Sequence, residues 1–519
     1  MLGATGSRID PELDHTTPAP PIPHDPGVIS DESLRSGCRG ELPLTARLEP
    51  WMTTVLQTDD LTARVERWGS PLNVICTSPM SRNIKALRNI AAQRELDFQI
   101  FFARKSNKCL SLVDQALASG IGVDTASENE VRQCFARGAE GKDLLCTAAI
   151  KSESLLKLCI ANRVEIAVDN RDELSLVLDS AKQLQTPALI ALRLGGFHHR
   201  GEKLPTRFGF DIDRDRDIIS RLASPALRVA GVQFHLDGYD AAQRVSAIGE
   251  SLAWIDRLRE AGHAPTFLDM GGGFPISYLE DETQWESFWQ QHQAALRGER
   301  APLTYRHHGL GLLPTAAGIV GRRNTYPYYQ SPTQHEWLAS VLDAFWNGRP
   351  LADHLRHAGL QLRCEPGRSL LDGCGMTLAR VEFRKQNAEG DWLIGLSMNR
   401  TQCRTSSDDF LVDPLLVRRG DGHSCDPLRK GTLGEGTPPA PMSGFLVGAY
   451  CTESELLSLR RLHFPRGVQR GDWIVFPNTA GYFMHFLESR SHQFPLAKNV
   501  IHTPAAPLRL DPIDQSTAI

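Results

Sequence analysis

At 519 residues the chain exceeds what one ordinary hydrophobic core organises, so two domains are the expectation. A hydrophobic content of 41 % and a charged content of 23 % are those of a globular chain, and a formal net charge of −4 leaves no footprint for nucleic acid or an anionic membrane. Eleven cysteines without a CxxC pair argue against a disulfide framework and a zinc site, and for a reducing cytoplasm.

Residues 1–45 open with MLGATGSRIDPELDHTTPAPPIPHDPG, proline-rich and polar without an apolar signal core, and read as a disordered arm. No stretch of the chain approaches the roughly 18 apolar residues that span a bilayer. From about residue 97 short apolar runs alternate with helical stretches. Candidate strands are FQIFF (98–102), IGVDT (121–125), LLCTA (144–148), EIAVD (165–169), ALIALRL (188–194), GVQFHL (231–236), TFLDMG (266–271) and LRCEP (362–366). Amphipathic segments such as Ser127–Arg137, Ser152–Ile160 and Asp172–Leu184 lie between them. Strands alternating with helices argue for a parallel sheet, and eight is the number that closes a (β/α)8 barrel. An open doubly wound sheet is the rival, without a GxGxxG turn to support it.

An unusually long excursion, about 275–358, separates the last two candidate strands. Trp285, Phe288 and Trp289 mark one helix face in it, and Trp337, Leu338, Val341, Leu342 and Phe345 another. It reads either as a lid presenting Tyr326, Arg322, Arg323 and His307, or as a surface element that builds subunit contacts. After residue 369 the rhythm becomes β-like in MTLARVEFRK, DWLIGLSM, GFLVGAYC and GDWIVF, while 422–442 reads as a Gly/Pro-rich loop. The domain reading is 70–368 for the barrel, 46–69 with 369–505 for a β-rich domain, and 506–519 for a tail.

The predicted strand ends carry Lys105, Asp124, Arg193, His235, the turn Gly271-Gly272-Gly273, and Glu365 with Arg368 three residues on. Taken alone, a strand-end lysine is a surface charge, a triple glycine a flexible turn and His235 a core imidazole. Reactive groups of (β/α)8 enzymes gather at these ends, and together the residues describe a site for a phosphorylated aromatic aldehyde. A lysine amine condenses with an aldehyde to a Schiff base, which removes the cost of burying an ammonium. Glycines let backbone N–H groups approach phosphate oxygens, and Arg368 adds a charged donor. A carboxylate such as Glu365 keeps a pyridine nitrogen protonated, so the ring can accept electrons, while an imidazole lying flat on it fixes its plane. The cofactor implied is pyridoxal 5′-phosphate.

FFARKSN resembles the Y-A-x-K-A-N lysine motif of fold-type III pyridoxal-phosphate enzymes, the group of diaminopimelate, ornithine and arginine decarboxylases. GVDTASENE is similar to their F-D-V-A-S-x-x-E segment, ALRL to L-R-V, RFGF to S-K-F-G-x, LDMGGGFP to L-D-x-G-G-G-F and CEPGRSL to E-P-G-R-x, over about 70–500. VQFHL resembles the strand whose histidine stacks on the ring. The resemblance implies an alanine-racemase-like barrel followed by a mainly-β domain, α-decarboxylation of an amino acid through a Lys105 Schiff base, and roles for Asp124 and Glu130 beside that lysine. GAYCTESELL resembles G-P-x-C-[ED]-x-x-D, which makes Cys451 the candidate proton donor. In the family this cysteine arrives from the neighbouring subunit, so a homodimer with shared sites is implied. GDWIVFPNTAGYFMHF resembles G-D-x-[VI]-x-x-x-x-x-G-A-Y, which implies a place for Tyr482 near the phosphate, and SMNRTQCR is loosely similar to G-M-N-D-L-x-R-P, which implies Arg404 for a substrate carboxylate.

Several positions depart from the family pattern. Thr452 stands where an acid holds the distal amine of a diamino acid, unless Glu453 or Glu455 substitutes, and His235-Leu236-Asp237-Gly238 lacks the serine of H-x-G-S. Racemisation, decarboxylation coupled to transfer or elimination, and a non-catalytic decarboxylase-like regulator are the alternative functions.

Overall fold

The computed structural model describes residues 31–58, 61–405, 407–419, 440–504 and 506–515. Eight strands form the first unit: β1 (Phe98–Ala103), β2 (Gly122–Thr125), β3 (Leu144–Cys146), β4 (Glu165–Val168), β5 (Ala188–Gly195), β6 (Leu227–Phe234), β7 (Phe267–Asp269) and β8 (Gln361–Cys364). Each pairs in parallel with the next, and β8 pairs with β1, so the sheet closes on itself. This is the (β/α)8 barrel, and the open-sheet rival falls with the β8–β1 pairing.

Period-two alternation sets the packing. In β1 the fully buried Ile100 and Phe102 join the core cluster that also holds the surrounding helices' apolar residues. Phe101, between them, lies 5.5 Å from the Arg363 guanidinium of β8, which also stacks 3.6 Å from the Phe267 ring and pairs at 3.0 Å with Glu165. That group fills part of the interior. Helices start where a side chain can accept a free backbone N–H: Ser127 from Glu130 (3.2 Å), Ser152 from Leu155 (3.2 Å) and Asn170 from Glu173 (2.9 Å). Each such cap contributes about 1 kcal/mol.

The second unit is a ten-stranded, mainly antiparallel sheet. Its spine is the long strand Gly375–Gln386, which pairs with Leu72–Ile75, Trp473–Pro477 and Trp392–Leu396. Residues 72–75 read from sequence as part of the barrel segment; instead they pair here, between Gly375–Gln386 and Lys498–Ile501. The helices Pro50–Leu56 and Leu61–Glu66 pack Met52, Val55 and Val65 onto this sheet. At the ends of the chain, Arg39–Gly40 pairs with Leu462–Phe464 and Arg509–Leu510 with Lys498–Ile501, so parts of both the arm and the tail are folded. Residues 1–30, and most of the 422–442 loop, lie outside the described residues.

The excursion between β7 and β8 divides its residues between the two units. Its helix Glu282–Leu296 sends Trp285, Phe288 and Trp289 into the core of the second unit, beside Tyr278, Tyr328, Phe410 and Phe483. Its helix Gln334–Asp343 joins the barrel core instead, with Trp337 4.9 Å from Phe274. Among the described residues no helix is long and apolar enough to cross a membrane.

Candidate active site

β1 ends at Ala103, and a single tight turn, Arg104–Ser106, carries Lys105 across the C-terminal mouth of the barrel. Its Nζ donates to Asp124 Oδ2 at 2.8 Å. Asp124 sits near the end of β2 with a fully buried side chain, and it also accepts the hydroxyl of Thr147, just past β3. Three adjacent strand ends therefore fix one ammonium. Burial works against that charge, but Asp124 and Glu365 outweigh it and raise the lysine's pKa above its ordinary value. Glu130 turns away: its carboxylate accepts from the backbone of Ala126 at 2.7 Å and closes the start of its own helix.

Glu365 follows β8, is buried, and accepts from Gln233 Nε2 at 2.8 Å. Burial, Asp269 and Asp124 all push its carboxyl well above the usual range, against Lys105 and Arg193. Asp269 shares this acidic floor; burial raises its pKa to about 7. Excess negative charge facing a pocket favours a cationic or proton-bearing occupant. His235 lines the same pocket as a neutral ring, its pKa lowered to about 3 by burial and by Arg244, Lys105 and Arg193. Its ring forms a T-shaped pair with Phe208 (5.9 Å, 85°), and Phe208 in turn lies 4.2 Å from the Arg193 guanidinium. Arg193 is buried and pairs at 3.3 Å with Asp169.

Between His235 and Glu365 runs the glycine turn. Gly272 and Gly273 line the pocket, whereas Gly271 lies behind them, its carbonyl accepting from the Glu365 N–H at 2.9 Å. A Cβ on Gly272 would stand 2.7 Å from the Glu365 carbonyl oxygen, so the close approach of two strand ends excludes a side chain there. Arg368 donates to Tyr278 Oη and the Gly481 carbonyl, both at 3.0 Å, and Tyr482 adopts φ +72°, a conformation that L-residues rarely keep without a local reason. Lys105, His235, Gly272, Gly273, Glu365, Arg368 and Tyr482 thus border one pocket.

Other predicted residues lie elsewhere. Arg404 donates to the Leu456 carbonyl at 2.6 Å and borders a second cleft with Glu453, Arg400 and Tyr305; its neighbour Thr405 lines the Lys105 pocket. Cys451 is not among the residues that line that pocket. Nine of the ten described cysteines are buried, and Cys451 is the exposed one, so it is no structural core thiol. Sequence reasoning did not single out Tyr239, Phe274 and Phe486, which also border the pocket. None of the excursion residues read as a lid lines the Lys105 pocket of this chain: Arg322, Arg323 and His307 are exposed, and Tyr326 is buried with its ring 4.2 Å from the Arg368 guanidinium.

The barrel, the β-rich unit and a lysine paired with an aspartate at the barrel mouth define a class of enzymes that hold an aldehyde cofactor. Residues 81–304 match the family model "Pyridoxal-dependent decarboxylase, pyridoxal binding domain". The chain is 31% identical over 434 residues, 83% of its own length and 87% of the other's, to the uncharacterized protein y4yA of Sinorhizobium fredii. It is 26% identical over 231 residues to the diaminopimelate decarboxylase of Bacillus subtilis, covering 42% of this chain and 53% of that one. The diaminopimelate decarboxylase of Helicobacter pylori, solved with L-lysine, superposes with a TM-score of 0.61 at 16% identity over 86% of this chain and 94% of that one. The chain belongs to the fold-type III pyridoxal-phosphate-dependent decarboxylases, a family of carboxy-lyases, and pyridoxal 5′-phosphate is its cofactor. The pocket suits that group: an amine at the barrel mouth, a wall two glycines deep without room for a Cβ, and a buried carboxyl that a pyridinium would stabilise as its anion.

Proposed function

We propose that the protein removes the α-carboxylate of an amino acid, with Lys105 as the amine that carries the cofactor. When bound, pyridoxal phosphate supplies the sink for the electron pair left on the α-carbon after carbon dioxide departs. Lys105 would hold the cofactor through its aldehyde, and its amine would serve as an acid or base at the substrate α-carbon. Glu365 would hold a proton at the ring nitrogen, and the uncharged His235 would pack against the ring. Gly272 and Gly273 would receive the phosphate together with Tyr482 and Arg368. Asp124 keeps the lysine aligned, and Arg193 adds positive charge that favours the Glu365 carboxylate. The observation that carries this reading is the 2.8 Å Lys105–Asp124 contact in a pocket shared with Glu365 and His235.

Cys451 is the proton donor to the product carbon in this reading, delivered from a second copy of the chain. Its exposure supports that role, as do the exposed Phe486 (53 %) and Leu487 (41 %), the first of which borders the pocket. Arg404 and Glu453 then reach substrate across the same interface. Glu455 is committed elsewhere, buried and accepting from the Arg400 backbone N–H at 2.8 Å, so Glu453 is the acid left to hold a distal amine. Borohydride reduction of the cofactor-loaded protein, followed by peptide mapping, is the test: the label should sit on Lys105. An unmodified Lys105 peptide overturns the proposal.

A further inference from the structure

Arg244 lies in the first turns of the helix Ala241–Glu260 and is 1% exposed. Arginines are almost never buried without a partner of opposite charge. Among the described residues no carboxylate lies within ion-pair distance of this one. Its Nη2 donates instead to three backbone carbonyls, Leu236 (3.1 Å), Gly238 (3.3 Å) and Gly272 (3.0 Å), while Nε and Nη1 are buried with no partner. Burial lowers its pKa only to about 10, so it is charged at neutral pH. A buried, uncompensated cation is costly, and an arriving anion that balances it removes that cost.

The position of the charge indicates where that anion sits. Leu236, Gly238 and Gly272 all line the Lys105 pocket, on the two loops that follow β6 and β7. A Cβ on Gly273 would stand 2.2 Å from Nη2 and 3.1 Å from the Gly238 carbonyl, so the guanidinium lies one backbone thickness behind the pocket wall. Gly273 itself has φ +84°. Of the acidic side chains at this wall, Asp237 is exposed and lines the pocket and Asp269 Oδ1 accepts the Gly271 N–H at 2.8 Å, while His235 is neutral. Without Arg244 the wall would present a net negative charge to an incoming phosphate.

We propose that Arg244 is the buried counter-charge of the cofactor phosphate: it clips the two loops together and makes the potential at their backbone N–H groups positive. The inference rests on the reading that Gly272 and Gly273 receive the phosphate. It makes Arg244 a positioning residue that acts through the backbone.

The test compares apo-protein binding of pyridoxal phosphate and of pyridoxal, which shares the ring and aldehyde and lacks the phosphate. In Arg244→Gln, affinity for pyridoxal phosphate should fall about tenfold or more while affinity for pyridoxal stays within about twofold. Equal losses for both, the mark of a purely structural clip, or no loss for either overturn the inference. Arg244→Lys keeps the charge without spanning three carbonyls, and should keep the preference for the phosphorylated form. If Arg244→Gln fails to fold, loss of that preference in the lysine variant overturns the inference instead. A wild-type protein that prefers neither form, or that is not labelled at Lys105, sinks the proposed function itself; a wild-type preference that survives in Arg244→Gln sinks only the role of Arg244.

Discussion

The guanidinium of Arg368 lies 4.2 Å from the ring centroid of Tyr326, a residue of the excursion between β7 and β8. Tyr482 and Phe483 close the cage at 5.0 Å each, and Gln330 donates to the Tyr326 hydroxyl at 3.1 Å. The excursion also holds the loop after β6, through the Trp337 indole N–H donated to the Tyr239 carbonyl at 2.8 Å. It is a buttress behind the pocket.

Tyr326→Leu should therefore loosen Arg368 although Tyr326 does not line the pocket. A desolvated cation–π contact is worth about 1–2 kcal/mol, so cofactor or substrate affinity should weaken roughly 5- to 30-fold. Tyr326→Phe keeps the ring and should stay within about threefold of wild type. Cofactor titration and KM measurements on the two variants decide; equal behaviour of Leu and Phe would show that the stacked face is unimportant.

Glu365→Gln preserves size and leaves an amide to meet Gln233, so the fold should survive. What it removes is the carboxylate able to hold a proton at the ring nitrogen. Turnover should fall by roughly 10²-fold or more while borohydride still fixes the cofactor at Lys105. Unchanged turnover in a labelled protein would remove Glu365 from its proposed role.

The eight barrel strands were legible because each is a short buried run, and those ending at Thr125, Cys146, Val168 and Phe234 are followed by helices with side-chain N-caps, both local signals. The pocket residues at their ends were legible because the barrel makes position along a strand equivalent to position in the site. Residues 72–75 were not legible. LNVI is as apolar as any barrel strand, and what assigns it to the second sheet is Gly375–Gln386, some three hundred residues away in sequence. Arg244 carries the helical periodicity of a surface charge, and nothing local shows that the Gly272 carbonyl, 28 residues on, closes over it. Tyr326 was noticed, but its facing direction depends on how the excursion packs.

His235 and His485 are both held neutral, their pKa lowered to about 3 chiefly by burial, where the ordinary value is 6.5. His485 Nδ1 accepts the Lys108 N–H at 3.3 Å while its other ring nitrogen meets Asn499 Oδ1 at 2.8 Å, an arrangement a second ring proton would oppose. Between those pKa values the unfolded chain binds a proton at each ring and the folded chain does not. The stability these rings confer is complete above about pH 6.5 and is lost as the pH falls toward 3. In His485→Gln the decline of Tm between pH 6.5 and about 4.5 should be shallower than in wild type. A parallel curve would show that this histidine titrates in the folded protein as it does in the unfolded one.

Cys451→Ala should lower turnover by roughly 10²- to 10⁴-fold, the usual contribution of a positioned acid, and leave cofactor binding at Lys105 intact. Where that thiol comes from can be read by mixing. A Lys105→Ala chain supplies an intact Cys451, and a Cys451→Ala chain supplies an intact Lys105. If sites are shared in a two-fold dimer, unfolding and refolding the two inactive variants together in equal amounts should restore about a quarter of wild-type activity, because half the dimers are mixed and each holds one complete site. If Cys451 serves its own chain's pocket, every site in every mixed dimer lacks one group and the mixture stays inactive. The exposure of Cys451 and its absence from the lining of its own chain's pocket favour restoration.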